Sequence, residues 1–127
     1  MIILDTHVLL WWTNTPHLLS TAAADALRNS EIVAISAITA WEVAILHRRN
    51  RVDIEGDPHS WIRELEDARG LQVLPITTDI SLGAAELHET LRDPIDCLIA
   101  ATALTHGVPL VTKDERIQRS GVVATIW

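Results

Sequence analysis

Short apolar runs alternate with longer stretches of helical spacing along the chain. Five runs rich in aliphatic and β-branched residues predict strands, at residues 1–4, 32–35, 72–76, 109–112 and 122–126. The segments between them place apolar residues three or four positions apart, as on one face of a helix. Strands that alternate with helices are typical of a parallel sheet covered by helices, so the pattern predicts an α/β fold.

Capping signals mark six predicted helices. Ser, Thr, Asp or Asp-Pro stands at most of the expected starts, and glycine stands at two of the ends. The predicted helices cover residues 7–12, a segment capped by Ser20, residues 37 to about 49, 58–69, 78 or 79 to about 90, and 94–106. Residues 50–58 are predicted to form a loop, and no repeat or shift in composition divides the chain.

Composition limits the classes of function. The 127 residues include 17 Asp and Glu against 10 Lys and Arg, and the net charge of -7 argues against nucleic-acid binding through a broad basic surface. The single cysteine excludes an intramolecular disulfide and a multi-cysteine metal site. No apolar run approaches the roughly 18 residues of a membrane span. We therefore expect one cytoplasmic domain over residues 1–127, with no membrane partner.

Four acidic residues stand where parallel-sheet proteins often place their chemistry. Asp5 follows the first strand and Asp114 the fourth, and the carboxyl ends of parallel strands border the ligand crevice, although each acid alone is at least as well explained as an N-cap. Glu42 has apolar neighbours on its helix and no Lys or Arg three or four residues away. Asp96 lies in the first turn of the sixth helix, where Asp93 already serves as the cap and the helix dipole favours the ionised form of Asp96.

If the sheet brings these four acids together, we expect them to form a cation site. In a doubly wound sheet Asp5, Asp96 and Asp114 lie along one edge, and Glu42 can lean over it. Converging carboxylates repel one another, so they persist together only around a cation. Oxygen ligands without Cys or His point to Mg²⁺ or Mn²⁺, which commonly serve phosphoryl chemistry.

With these residues the chain resembles the PIN-domain ribonucleases, specifically the VapC-type toxins of bacterial toxin–antitoxin pairs. The resemblance covers the whole chain and rests on LDTHVLLWW, SAITAWEVAI, RDPIDCLIAATAL and LVTKDERI in this order. It implies a three-layer α/β/α domain with a central five-stranded parallel sheet, a homodimer and inhibition by a cognate antitoxin. The implied activity is a Mg²⁺-dependent endoribonuclease, with Mn²⁺ as a second candidate metal, that cleaves RNA phosphodiesters with metal-activated water.

The resemblance also implies roles for individual residues. Four acids would form the catalytic and metal-binding quartet: Asp5, Glu42, Asp96 and Asp114. Of these, Asp5 and Asp96 would be the most direct metal ligands. Thr6 and Thr112 would orient neighbouring carboxylates or a metal-bound water, and Asp93 would support the site.

Two other features bear on the substrate. The only basic cluster contains Arg48, Arg49 and Arg51, which are equally well interpreted as the solvated cationic end of a helix or as RNA-phosphate contacts. The chain also departs from the family pattern at two positions. Leu91 stands where similar toxins often carry His, and Cys97 stands where they often carry a basic residue.

The tryptophans are candidates for contact with a partner. Trp11 and Trp12 are adjacent on a predicted helix, and adjacent helical side chains diverge by about 100°, so both are not expected to fit one core. One of these two, or Trp61, is expected to anchor a second copy or an antitoxin helix.

A receiver-type signalling domain is the alternative function. Such a domain also binds Mg²⁺ in an acidic pocket, and Lys113 after the fourth strand gives it slight support. It needs a phosphate-accepting Asp at the end of a central third strand. Here the third predicted strand runs into Pro75 and Thr77 with no acid before Asp79.

Overall fold

Five short parallel strands form the central sheet of the protein. The computed structural model describes every residue from Met1 to Trp127. The strands are β1 (Ile2–Leu4), β2 (Val33–Ser36), β3 (Gln72–Leu74), β4 (Leu110–Val111) and β5 (Thr125–Ile126). Every pairing is parallel, in the order β3-β2-β1-β4-β5. The prediction of an α/β fold with a central five-stranded parallel sheet is confirmed.

Seven α-helices and one 3₁₀ turn connect the strands. They are α1 (Thr6–Asn14), α2 (Thr21–Asn29), α3 (Ala37–Arg48), α4 (Pro58–Arg69), α5 (Thr78–Leu91), α6 (Pro94–His106) and α7 (Glu115–Ser120), with the 3₁₀ turn at Pro16–Leu18. The six predicted helices are present. The additional helix α7 has only 6 residues, which is too short for a periodic apolar pattern. None of the helices combines the length and the apolar character needed to span a membrane.

The sheet separates two buried clusters of apolar side chains. Successive residues of a strand point to opposite faces, so Ile2 and Leu4 belong to one cluster and Ile3 belongs to the other. Helices α1, α2 and α4 contribute to the first cluster, and α5, α6 and α7 contribute to the second. Helices therefore cover both faces of the sheet, which gives the three-layer arrangement.

The strand order excludes the receiver-type alternative. Receiver-type domains have the order 2-1-3-4-5, in which the third strand is central. In this chain β3 lies at one edge of the sheet, and β1 is central. A residue after β3 therefore could not occupy the centre of the site.

The tryptophans divide between the core and the surface of the protein. Trp61 is only 6% exposed and belongs to the core, so the prediction that it could anchor a partner is wrong. Trp12 packs against the same cluster, and the guanidinium of Arg69 lies 4.9 Å from its ring centroid. Trp11 is not part of either cluster.

Candidate active site

Asp5 stands at the centre of the candidate site, between β1 and α1. One of its carboxylate oxygens accepts the backbone N–H of Thr6 at 2.7 Å, and the other accepts the hydroxyl of Thr112 at 2.7 Å. The residue is 8% exposed. Burial raises the pKa of Asp5, and the two hydrogen bonds oppose that rise only in part. The fold thus holds a carboxylate in a fixed orientation at a place that disfavours its negative charge.

The buried hydroxyl of Thr112 joins the ends of β1 and β4. It donates to Asp5, and it accepts the backbone N–H of Asp114 at 3.0 Å. Asp114 is also the N-cap of α7, where its carboxylate accepts backbone N–H groups of the first turn. The cap interpretation of Asp114 is therefore correct, and the residue also lies at the site.

The environment of Asp96 differs from the sequence-based expectation. Asp93 caps α6 by accepting two backbone N–H groups at 2.8 and 3.1 Å, which places Asp96 in the first turn. Burial raises the pKa of Asp96 to about 7, with further contributions from Asp93, Asp5 and Asp114 that outweigh the opposing effect of Arg116. The helix dipole favours the ionised form of Asp96, as expected from the sequence, but burial and the neighbouring acids outweigh it.

Arg116 bridges two of the acids. Its Nη2 atom lies 2.7 Å from Oδ2 of Asp114 and 3.1 Å from Oδ2 of Asp96, and its Nε lies 3.3 Å from Oδ1 of Asp114. These hydrogen bonds hold the pKa of Asp114 below its usual value. The sequence analysis missed Arg116. One signal was available, since a basic residue in the first turn of a helix opposes the dipole and calls for a local acidic partner.

Glu42 lies on α3 and is linked to the site by a hydrogen bond from a threonine hydroxyl. Its carboxylate accepts the hydroxyl of Thr6, the residue whose backbone N–H binds Asp5. Thr39 lies one turn before Glu42 on the same helix, and its hydroxyl is buried without a hydrogen-bond partner. Thr39 is a second polar residue that the sequence analysis did not identify as part of this region.

The structure brings the four predicted acids to the carboxyl edge of the sheet without gathering them into a preformed metal centre. As the side chains stand, no three His, Cys, Asp or Glu residues form a group that could hold a metal ion. The Arg116 guanidinium lies between the carboxylates of Asp96 and Asp114. The donor set consists of oxygen atoms, which suits Mg²⁺ or Mn²⁺, and a cation shared by Asp96 and Asp114 has to displace this guanidinium.

The basic cluster and the two departures from the family pattern lie outside this group. Arg48 and Arg49 are exposed at the end of α3, about 9 Å along the axis from Glu42. Leu91 and Cys97 are 5% and 2% exposed and belong to the core beneath α5 and α6. Burial raises the pKa of the Cys97 thiol, as expected for a core residue rather than a nucleophile.

Comparison by sequence relates the whole chain to known proteins. A family model described as the PIN domain matches residues 2–122. The chain is also 36% identical to Ribonuclease VapC22 of Mycobacterium tuberculosis over 129 residues, an alignment that covers 99% of this chain and 98% of that protein.

Comparison by structure identifies the same fold in toxin–antitoxin complexes. A chain of VapBC2 from Rickettsia felis, bound to a DNA fragment from its promoter, superposes with a TM-score of 0.69 at 19% identity, covering 98% of this chain and 97% of that one. A chain of VapBC-1 from nontypeable Haemophilus influenzae superposes with a TM-score of 0.68 at 22% identity, covering 98% and 96%. At these identities the similarity establishes the fold.

Proposed function

This chain belongs to the PIN domain family, and we propose that it is a divalent-metal-dependent endoribonuclease, the toxin of a toxin–antitoxin pair. One observation carries the proposal: Asp5, Asp96 and Asp114, from three separate elements, are linked at the carboxyl edge of the sheet through Thr112 and Arg116. The charges of Asp5 and Asp114 each contribute to the raised pKa of Asp96, so the three carboxylates act on one another. The full-length similarity to Ribonuclease VapC22 supports RNA as the substrate.

The proposed metal ligands are Asp5, Asp96 and Asp114, with Glu42 as a ligand or as a base for the attacking water. A divalent cation at these oxygens would polarise the phosphodiester and lower the pKa of water. Mg²⁺ and Mn²⁺ are the candidate ions because every donor is an oxygen atom.

The protein's own residues prepare the site for this chemistry. Thr6 and Thr112 each donate a hydrogen bond to one oxygen of Asp5, which fixes the orientation of its carboxylate. The Thr6 hydroxyl also orients Glu42. Because its pKa is about 7, Asp96 retains a proton over part of the neutral range, and this carboxyl would give up that proton on holding a cation.

Metal removal tests the proposed activity. Purified protein is expected to cut a single-stranded RNA in Mg²⁺ or Mn²⁺ and to stop when EDTA exceeds the metal, because the carboxylates alone cannot neutralise the phosphate. Cut products are resolved on a denaturing gel. Recovery of cutting after Mg²⁺ is restored serves as the control for irreversible unfolding. Cleavage that continues at the same rate in EDTA contradicts the metal-dependent mechanism.

Arg116→Gln is expected to strengthen divalent-ion binding. The substitution removes the positive charge that competes for Asp96 and Asp114 and leaves a shorter, uncharged polar side chain. Since exposed ion pairs contribute about 0–1 kcal/mol, a gain in Mn²⁺ affinity of up to about 5-fold is expected. Isothermal titration with Mn²⁺ measures the change.

Arg119→Gln is the matched control for this prediction. Arg119 lies on the same helix and pairs with Glu115 rather than with a site acid. Equal Mn²⁺ affinity for the wild-type protein and for Arg116→Gln would show that Arg116 does not compete with the cation.

The remaining parts of the proposal concern assembly and location. We propose that residues 1–127 form one PIN domain, because both apolar clusters pack on the same sheet. A homodimer and a cognate antitoxin are the proposed partners, and the complexes formed by the structural relatives support the second. A cytoplasmic location follows from the proposed RNA substrate.

A further inference from the structure

Trp11 packs beside aromatic and cationic side chains from three parts of the chain. It lies on α1 one turn after His7, with 6.0 Å between their ring centroids and an interplanar angle of 50°. Its ring also meets that of Trp127 at 5.6 Å and 51°. The ammonium of Lys113 lies 5.5 Å from the Trp11 centroid. Aromatic and cationic side chains thus surround a partly exposed indole that belongs to neither core cluster.

This cluster, the Trp11 platform, consists of His7, Trp11, Lys113 and Trp127 and is continuous with the candidate active site. His7 follows Asp5 by two positions at the start of α1, and its charge acts on the pKa of Asp5. Lys113 separates Thr112, the partner of Asp5, from Asp114. His7 and Lys113 therefore place the platform beside the acids.

A cavity of about 750 Å³ opens beside the platform. It is lined by Trp11 with the aliphatic residues Leu10 and Val52 and by five polar or charged residues, Asn14, Thr15, Arg51, Asp53 and Glu55. The Asn14 amide is held by the backbone carbonyl of Asp53 at 2.7 Å. An aromatic wall surrounded by hydrogen-bond donors and acceptors matches the chemistry of a nucleobase, which has a π-face and a polar edge.

We propose that the Trp11 platform and this cavity bind an unpaired RNA base, with the neighbouring phosphodiester held by Lys113 next to the acids. The inference rests on the proposed ribonuclease function and adds to it a subsite for one base beside the acids. Stacking tolerates every base, and the acidic groups of Asp53 and Glu55 accept hydrogen bonds from exocyclic amino groups.

Two cations beside Trp11 provide local attraction for phosphate. With a net charge of -7 the protein as a whole does not attract phosphate, so cations close to the binding site have to provide the attraction. Lys113 and Arg51 are exposed and form no ion pair, and they flank Trp11 on the platform and in the cavity. These cations attract phosphate.

Binding of two probes separates stacking from charge. The probes are a labelled ten-nucleotide single-stranded RNA and the same ribose-phosphate chain without bases, both titrated in EDTA so that no cleavage occurs. Trp11→Leu, which keeps apolar volume without a π-face, is expected to weaken binding of the RNA about 5- to 100-fold and to leave binding of the abasic chain unchanged. Lys113→Gln is expected to weaken binding of both probes and to reduce the salt dependence by about one ion.

Control variants distinguish loss of the platform from loss of the fold. Trp11→Phe keeps a ring and is expected to retain most of the RNA affinity. Trp41→Leu removes a tryptophan that is 53% exposed and has no ring or cation over it, and it is expected to bind both probes like the wild type. Thermal melting of each variant verifies folding.

Three results would overturn the inference. The first is an unchanged preference for RNA over the abasic chain in Trp11→Leu. The second is an equal loss in Trp41→Leu. The third is that binding of a basic amphipathic peptide depends on Trp11 while binding of RNA does not. That result would identify the platform as a protein-docking surface. Cleavage by the wild-type protein in Mg²⁺ is measured separately, so failure of the ribonuclease proposal is distinguishable from failure of the base subsite.

Discussion

Asp5→Asn is expected to lower the RNA cleavage rate by more than about 100-fold, because Asp5 is a proposed direct metal ligand and its loss should exceed the 10- to 100-fold effect of disturbing outer partners. The neutral amide keeps the shape of the side chain but removes the charge at the centre of the site. Mn²⁺ is expected to raise the melting temperature of the wild type by binding to the folded protein, and this stabilisation is expected to disappear in the variant together with the activity. Gel assays of cleavage and melting curves with and without Mn²⁺ measure the two effects.

The same substitution should not harm the fold. Burial raises the pKa of Asp5 in the folded protein, so ionisation of Asp5 reduces the free energy of unfolding as the pH rises above the unfolded-state value. Asn cannot ionise, and we expect the metal-free variant to melt at or above the wild-type temperature at pH 7. Asp67→Asn, at an exposed position of α4, is the control and should retain activity. Full cleavage by Asp5→Asn would refute the assigned role.

Leu4→Ala is expected to destabilise the protein by about 2–5 kcal/mol. Leu4 precedes Asp5 in the central strand, is fully buried and packs in the first apolar cluster, so the shorter side chain leaves a cavity under the site. Urea unfolding followed by circular dichroism measures the change. The midpoint should fall while the dependence on urea stays the same, because the surface exposed on unfolding changes little.

Leu82→Ala is the matched control for this core substitution. Leu82 lies on α5 and is 62% exposed. Removal of its side chain is expected to change the free energy of unfolding by no more than about 0.5 kcal/mol. Equal destabilisation by the two leucine substitutions would show that Leu4 does not pack as described.

Local signals in the sequence predicted most of the fold. The caps at Ser20, Asp57 and Asp93 act on their own first turns, and Gly70 and Gly107 end α4 and α6 in the left-handed conformation. Such signals depend on neighbours within a few residues, so one sequence suffices to read them. Alternating strands and helices likewise predicted a parallel sheet.

Long-range contacts explain what the sequence could not provide. The raised pKa of Asp96 depends on burial and on acids from two other elements, and neither is visible in the local helix pattern. The bridge from Arg116 to Asp96 joins α7 to α6 across 20 residues of sequence. The burial of Trp61 results from packing of α4 on the sheet, although its sequence context resembles that of an exposed helix.

The hydrogen bond from Thr112 to Asp5 spans 107 positions of the chain and has a consequence for biosynthesis. Protein chains emerge from the ribosome with the N-terminus first. The segment with Asp5 and Glu42 is therefore made well before β4 arrives to pair with β1 and bring Thr112 and Asp114 into place. An incomplete chain lacks the hydrogen bond that orients Asp5, so under the proposed function we expect no RNA cleavage by the nascent chain until translation is almost finished.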